Sequence, residues 1–151
     1  MIAKDYIDIL AIDHYPCTWT GTGANDWRPL DSLISICNKY DKKGAIMETG
    51  FSTYGSEDTP WGFPGYEHTQ DDQEIFINNA LPIIREKAYN QNVNNPGKEI
   101  ILASWYELRG SDPTTWWYGY VEENFGILHD NLSFKRGYDD LQKQIAEYWQ
   151  I

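Results

Sequence analysis

The chain has 151 residues, of which 23 are acidic and 12 basic, for a formal net charge of -11. A non-specific nucleic-acid binder needs a cationic face to displace counterions, so nucleic acid is excluded as a partner. The longest apolar stretches, such as Ile9-Leu10-Ala11-Ile12, fall far short of the roughly 20 residues that cross a bilayer, so no membrane association is expected.

The first predicted strand runs from Tyr6 to Tyr15 (YIDILAIDHY), ahead of a start, Met1 to Asp5, that has no basic and apolar pattern of a secretory signal. A loop of 14 residues, Pro16 to Pro29, leads to a helix with Leu30, Leu33, Ile34, Cys37 and Tyr40 on one face. The second strand is Gly44 to Gly50 (GAIMETG), followed by an 18-residue loop, Phe51 to His68. Thr69 and Asp72 then make a capping-box-like pair before a helix carrying Phe76, Ala80, Ile83, Ile84 and Ala88. Pro82 lies inside that pattern and is expected to kink or split it, because proline has no backbone donor. The polar run Asn90 to Gly97 ends in a Pro-Gly turn signal and reads as a surface loop. A third strand, Glu99 to Leu108 (EIILASWYEL), precedes a 20-residue loop, Arg109 to Leu128. Ser133 is placed to cap a last helix built on Tyr138, Leu141, Ile145, Tyr148 and Trp149.

Three successive strand–loop–helix units imply an α/β fold with a parallel sheet and right-handed crossovers, in one domain over residues 1–151. At 17.6 kDa the chain would expose about 25,000 Å² unfolded and about 8,000 Å² folded, enough burial for one core. Each strand is apolar first and polar or aromatic last. In such architectures functional groups collect at the carboxyl ends of the strands, and long ordered loops there are usually functional. These loops hold Trp19, Trp27, Trp61, Trp116 and Trp117.

The 7 Trp and 11 Tyr exceed the needs of a core this size and accompany acid rather than base. Aromatic faces stack on the C–H faces of sugar rings and carboxylates bond hydroxyls, so the mixture suits a carbohydrate. Cys17 and Cys37 match no metal spacing and no disulfide framework, and read as two buried free thiols. With no HExxH, CxxC or glycine-rich phosphate loop, no metal and no cofactor is implied.

Glu48 ends an apolar strand where Thr49-Gly50 turns the backbone outward, so its carboxylate can serve as nucleophile or base, or simply cap the turn. Tyr15, ending the neighbouring strand in Asp13-His14-Tyr15-Pro16, can reach that carboxylate with its hydroxyl and hold it in one rotamer. Asp13 and His14 can face either pocket or core. Trp105 offers a flat platform for a sugar ring, or core packing, with Glu107 two residues on and on the same face.

In this order and spacing the three strand ends resemble the last three units of the clan A glycoside hydrolases, (β/α)8 barrels that work with retention. DILAIDHYP is similar to the sixth barrel strand with its pocket tyrosine, AIMETGFS to the seventh with the nucleophile, and ILASWYEL to the eighth with a subsite tryptophan. FGILHDNLSFKRGYDDLQ is similar to the closing segment before the eighth helix. The resemblance implies a partial TIM barrel, strands 6 to 8, with Glu48 as nucleophile, Tyr15 as its support and Trp105 as the floor of the reacting subsite. Asp13, His14, Trp19, Trp61, Trp116 and Glu107 would line sugar subsites.

Retention needs a second carboxyl about 5 to 5.5 Å from the nucleophile. In the family that residue follows an Asn at the end of the fourth strand. This chain resembles the barrel only from the sixth strand on, and Glu123-Asn124 has the order reversed; Glu107 and Asp112 are the other acids near the pocket face. The implied function is the carboxyl-terminal part of a β-glycosidase acting on a polysaccharide or oligosaccharide, inactive as an isolated chain on unactivated substrates. The alternative is a carbohydrate-binding protein that does not cut. A three-stranded piece leaves open edges, so the missing barrel part, upstream or in a partner, or self-association, is expected to cover them. Polysaccharide hydrolases of this type are often exported, and two cysteines leave the compartment open.

Overall fold

The computed structural model describes residues 4–20, 22–54, 68–110, 121 and 124–148. A short 3-10 turn, Lys4–Tyr6, leads into β1 (Ile9–Asp13), α1 (Arg28–Tyr40), β2 (Lys43–Thr49), α2 (Gln70–Asn94), β3 (Ile100–Trp105) and α3 (Tyr138–Tyr148). The strands form one parallel three-stranded sheet in the order β1-β2-β3. The alternation read from the sequence therefore holds, although β1 and β3 are shorter than the apolar runs suggest.

Apolar spacing makes the helices, and one side of the sheet receives them. Leu30, Leu33 and Cys37 of α1 and Phe76, Ile77, Ala80 and Ile84 of α2 are buried in a continuous core with Ile46 and Ile100 of the sheet. Leu10 and Ile12 of β1 and Tyr138 of α3 pack on its margin, and Leu141 of α3 is inside it. The alternate residues Ile9 and Met47 are each 47% exposed, so the opposite face of the sheet carries no helix among the described residues. Cys17 and Cys37 are buried, and neither is in a disulfide, as their spacing indicates.

Local chemistry sets the helix ends. Thr69 accepts from the backbone N–H of Asp72 at 3.2 Å while the Asp72 carboxylate accepts from the Thr69 N–H at 2.9 Å, a complete capping box. Pro82 does not split α2, which runs unbroken through it. Asn78, whose carbonyl loses its donor, is exposed, so water can serve it. The expected loop over Asn90–Gly97 is helical as far as Asn94. Side-chain bonding is the reason: Asn94 Nδ2 donates to the Asn90 carbonyl at 2.8 Å, and Asn92 Oδ1 accepts from the Ile100 N–H at 2.8 Å, stitching the helix end to β3. Ser133 does not cap α3, which begins five residues later at Tyr138. Its hydroxyl instead donates to Asn131 Oδ1 at 2.6 Å inside a turn.

Candidate functional site

The parallel register brings the carboxyl ends of β1 and β2 side by side. Asp13 pairs with Glu48 across the strands, after a shift between Ile12 and Asp13, and the His14 N–H donates to the Glu48 carbonyl at 3.0 Å. At the end of β2, Thr49 pairs with Trp105 of β3, and the Thr49 carbonyl accepts from the Tyr106 N–H at 2.7 Å. Gly50 follows, and a Cβ there would collide with the Tyr106 carbonyl, so only glycine lets β2 and β3 close up at this level.

On this platform the Tyr15 hydroxyl donates to Glu48 Oε2 at 2.8 Å. Tyr15 is only 8% exposed, and its ring meets the edges of Phe125 at 5.2 Å and Tyr106 at 6.1 Å between centroids. Phe125 also contacts Tyr106 at 5.4 Å and Trp19 at 6.0 Å. The phenol therefore has a fixed direction, and the partly exposed carboxylate takes its orientation from it.

Below the aromatic group the three loop bases are tied by buried polar contacts. The Ser52 hydroxyl donates to the Val121 carbonyl at 2.7 Å, and the Ser52 N–H reaches Thr18 Oγ1 at 3.4 Å. Gln73 Nε2 of α2 donates to the Phe51 carbonyl at 2.8 Å and to that of Phe125 at 3.4 Å. Lys135 Nζ donates to Thr53 Oγ1 at 3.1 Å and to the Asn124 carbonyl at 3.0 Å. Burial lowers the Lys135 pKa from 10.5 to about 8, against the opposing pull of Asp130 and Glu107.

The other predicted site residues separate by environment. Asp13 is exposed beside Glu48. His14 is buried, with Nε2 donating to the Asp26 carbonyl at 2.7 Å and its ring edge-on to Trp27 at 5.0 Å, so that nitrogen is committed to the following loop. Trp27 is itself core, its indole N–H donating to the Ala24 carbonyl at 3.0 Å. Trp19 stands in the aromatic group. Trp105 is half-buried on the margin of the core, 6.1 Å from Phe76 between centroids, and lines a groove beside α2 and α3. Glu107 lies close enough to Lys135 to raise its pKa, and the peptide before it is cis. Trp61, Trp116, Trp117, Asp112 and Glu123 lie outside the described residues.

Phe125, Tyr106, Ser52 and Lys135 were not singled out from the sequence. Phe125-Gly126-Ile127 is a short apolar run without a period, and a lysine in a polar turn looks like solvent chemistry until its surroundings are known. Gly50 alone carried a signal, as the turn after a strand-end acid. The arrangement can present one oriented carboxylate at the mouth of a parallel sheet, backed by a tyrosine hydroxyl and rimmed by aromatic rings.

No family model matches the sequence, and no curated protein matches it. Solved structures do share its fold. A Bifidobacterium dentium beta-glucuronidase complexed with coumarin-3-O-glucuronide matches with a TM-score of 0.65 and 14% identity over 97% of this chain. A Faecalibacterium prausnitzii beta-glucuronidase matches at 0.65 and 16% over 97%. A GH2 beta-galacturonidase from Eisenbergiella tayi bound to galacturonate matches at 0.65 and 17% over 99%. The matched parts are 21%, 23% and 25% of those chains, so this chain spans at most a quarter of their length.

Proposed function

We propose that this chain forms the carboxyl-terminal part of a retaining β-glycosidase barrel, strands 6 to 8 of a (β/α)8 fold, and supplies its nucleophile, Glu48. The observation that carries this reading is the 2.8 Å hydrogen bond from Tyr15 to Glu48 at the carboxyl ends of adjacent parallel strands. A carboxylate that attacks an anomeric carbon must be held in one direction, and a buried phenol does that. The sugar-cleaving enzymes whose fold the chain shares support the same reading, as does the sequence resemblance at all three strand ends.

On this reading the uncovered sheet face bearing Ile9 and Met47 is the barrel interior, and the proton donor comes from barrel strands beyond the matched three. The partner is a β-linked carbohydrate, and Asp13, Trp19 and Trp105 are the described residues nearest the proposed subsites. A second reading, carbohydrate binding without cleavage, draws on the aromatic group around Tyr15 together with the absence of an Asn-Glu pair from the sequence.

An activated 2-deoxy-2-fluoro-β-glycosyl donor tests both, because it needs little help at the leaving group. One glycosyl unit is expected on the peptide containing Glu48, and none on Glu48→Gln. A folded chain that binds the sugar without ever acquiring the label would favour the binding protein, and a label on another carboxylate would refute the assignment.

A further inference from the structure

Among the described residues Lys135 is the only buried lysine or arginine, at 5% exposure. Taking an ammonium out of water is costly unless its donors find partners. Two of them do, on two different loops: Thr53 Oγ1 after β2 at 3.1 Å and the Asn124 carbonyl, ahead of the last helix, at 3.0 Å. The Asn124 carbonyl also accepts from the Thr53 N–H at 3.0 Å and the Thr53 hydroxyl at 3.2 Å, so both loops converge on one oxygen. The other end of the lysine is anchored as well. Its backbone N–H donates to the Ile127 carbonyl at 3.0 Å, and the Ile127 N–H donates to the Glu107 carbonyl at 3.1 Å, just beyond β3.

The residue after that oxygen is Phe125, fully buried, whose ring lies 5.2 Å from Tyr15 between centroids. Its own carbonyl is held by Gln73 Nε2 at 3.4 Å, a long bond. Without the ammonium, Phe125 would be anchored by that bond and by the donors of Thr53 alone. Tyr15 in turn donates to Glu48 Oε2 at 2.8 Å. An unbroken chain of contacts therefore runs from the ammonium through the Asn124 carbonyl, the Phe125 ring and the Tyr15 phenol to the carboxylate. Because the aromatic group is closely packed, a displaced Phe125 moves the ring against it and turns the hydroxyl away from its acceptor.

We propose that Lys135 is a positioning residue for Glu48: by clamping two loops at the Asn124 carbonyl it seats Phe125 against Tyr15, and so fixes the phenol that orients the carboxylate. Its effect on a rate rests on the reading of Glu48 as nucleophile; its effect on geometry does not. A bond from an ammonium is stronger than one from a neutral amine, so the clamp depends on charge. Burial holds the Lys135 pKa at about 8, with Asp130 of its own turn and Glu107 after β3 pulling the other way. The neighbouring Arg136 is exposed and paired with Asp71. The clamp therefore weakens as pH rises through about 8.

Two measurements on the whole chain test it, both under conditions where near-ultraviolet circular dichroism shows it folded. The first is the rate at which the 2-deoxy-2-fluoro-β-glycosyl donor labels Glu48. Lys135→Met keeps the length of the side chain and removes its donors, and is expected to slow labelling by about three- to ten-fold near neutral pH. The unaltered chain should slow toward the variant's rate as pH rises through about 8, while the variant shows no such limb. The second is the ring carbon signals of Tyr15 by nuclear magnetic resonance without any sugar. They should shift with a midpoint at about pH 8 in the unaltered chain and lose that step in Lys135→Met. Should Lys135→Met fail to fold, the titration of the unaltered chain and Thr53→Val, which removes one partner of the ammonium, decide in its place. Labelling at the unaltered rate in a folded Lys135 or Thr53 variant would overturn the proposal, and so would Tyr15 signals that ignore this pH range. A folded chain that never labels Glu48 would refute the glycosidase reading alone, and the Tyr15 signals would then decide the positioning role.

Discussion

The sheet is held in two ways, and the two regions divide stability from geometry. Toward the helices, burial is apolar and continuous, with Phe76, Ile77, Ile84 and Ile46 all fully buried. At the carboxyl ends of the strands the packing is a small aromatic group on a floor of hydrogen bonds, in which Ser52, Gln73 and Lys135 tie together loops far apart in sequence. Apolar burial is non-directional and sets how much free energy holds the fold; buried polar bonds are directional and set where Glu48 points. Substitutions in the first region should therefore cost stability, and those in the second should change a rate or a pH dependence out of proportion to stability.

The largest effect is expected at Phe76, which bridges Phe51 at 5.5 Å and Trp105 at 6.1 Å. Phe76→Ala should cost about 3–5 kcal/mol by urea denaturation, a large share of what a domain of this size has. A loss below about 1 kcal/mol would mean that the helix-side core is not the main support.

Next is the pH dependence of Lys135. Its folded pKa of about 8 lies below the ordinary 10.5, so between those values the unfolded chain binds more protons. The burial cost is fully present below pH 8 and is relieved as pH rises toward 10.5, so this lysine makes stability rise over that window. Compared with Lys135→Met, the unaltered chain should gain up to about 3 kcal/mol there. Equal slopes for the two proteins in paired melts would show that the amine is solvated and that the loop floor is looser than described. Smaller again, Thr69→Ala removes the capping box of α2 and should cost about 1 kcal/mol on the helix side without altering Glu48 labelling.

Much of this division can be read from residues. The spacing of Leu30, Leu33 and Cys37, the Thr69–Asp72 pair and the three strands that turn polar at their ends are local patterns, and each appears where its period puts it. The Tyr15–Glu48 contact also follows from two strand ends once the strands are taken as neighbours. What stayed hidden depends on contacts between distant segments. Asn90–Asn94 reads as a loop by composition, yet Asn92 bonds Ile100 and Gln91 Nε2 bonds Asn38 Oδ1 at 2.8 Å, and those bonds hold the helix. His14 at a strand end and Trp27 in the loop after it suggest a pocket, but their rings meet edge-on as packing. Lys135 is visible as chemistry only when Thr53 and Asn124 are beside it.

The smallest effect on stability should carry the most information about the site. Tyr15→Phe keeps the ring, and with it the contacts to Phe125 and Tyr106, while removing the hydroxyl that donates to Glu48. Because the carboxylate is partly exposed, water can replace the lost donor, and the cost to folding should stay near or below about 1 kcal/mol. A carboxylate bonded to water is no longer held in one rotamer, so labelling of Glu48 by the fluoro-sugar should slow by about ten-fold or more. Tyr15→Ala, which also empties the aromatic group, should lose both stability and labelling. If Tyr15→Phe labels at the unaltered rate, the phenol packs the strand ends without directing the acid, and the carboxyl-end cluster then differs from the helix-side core in composition only.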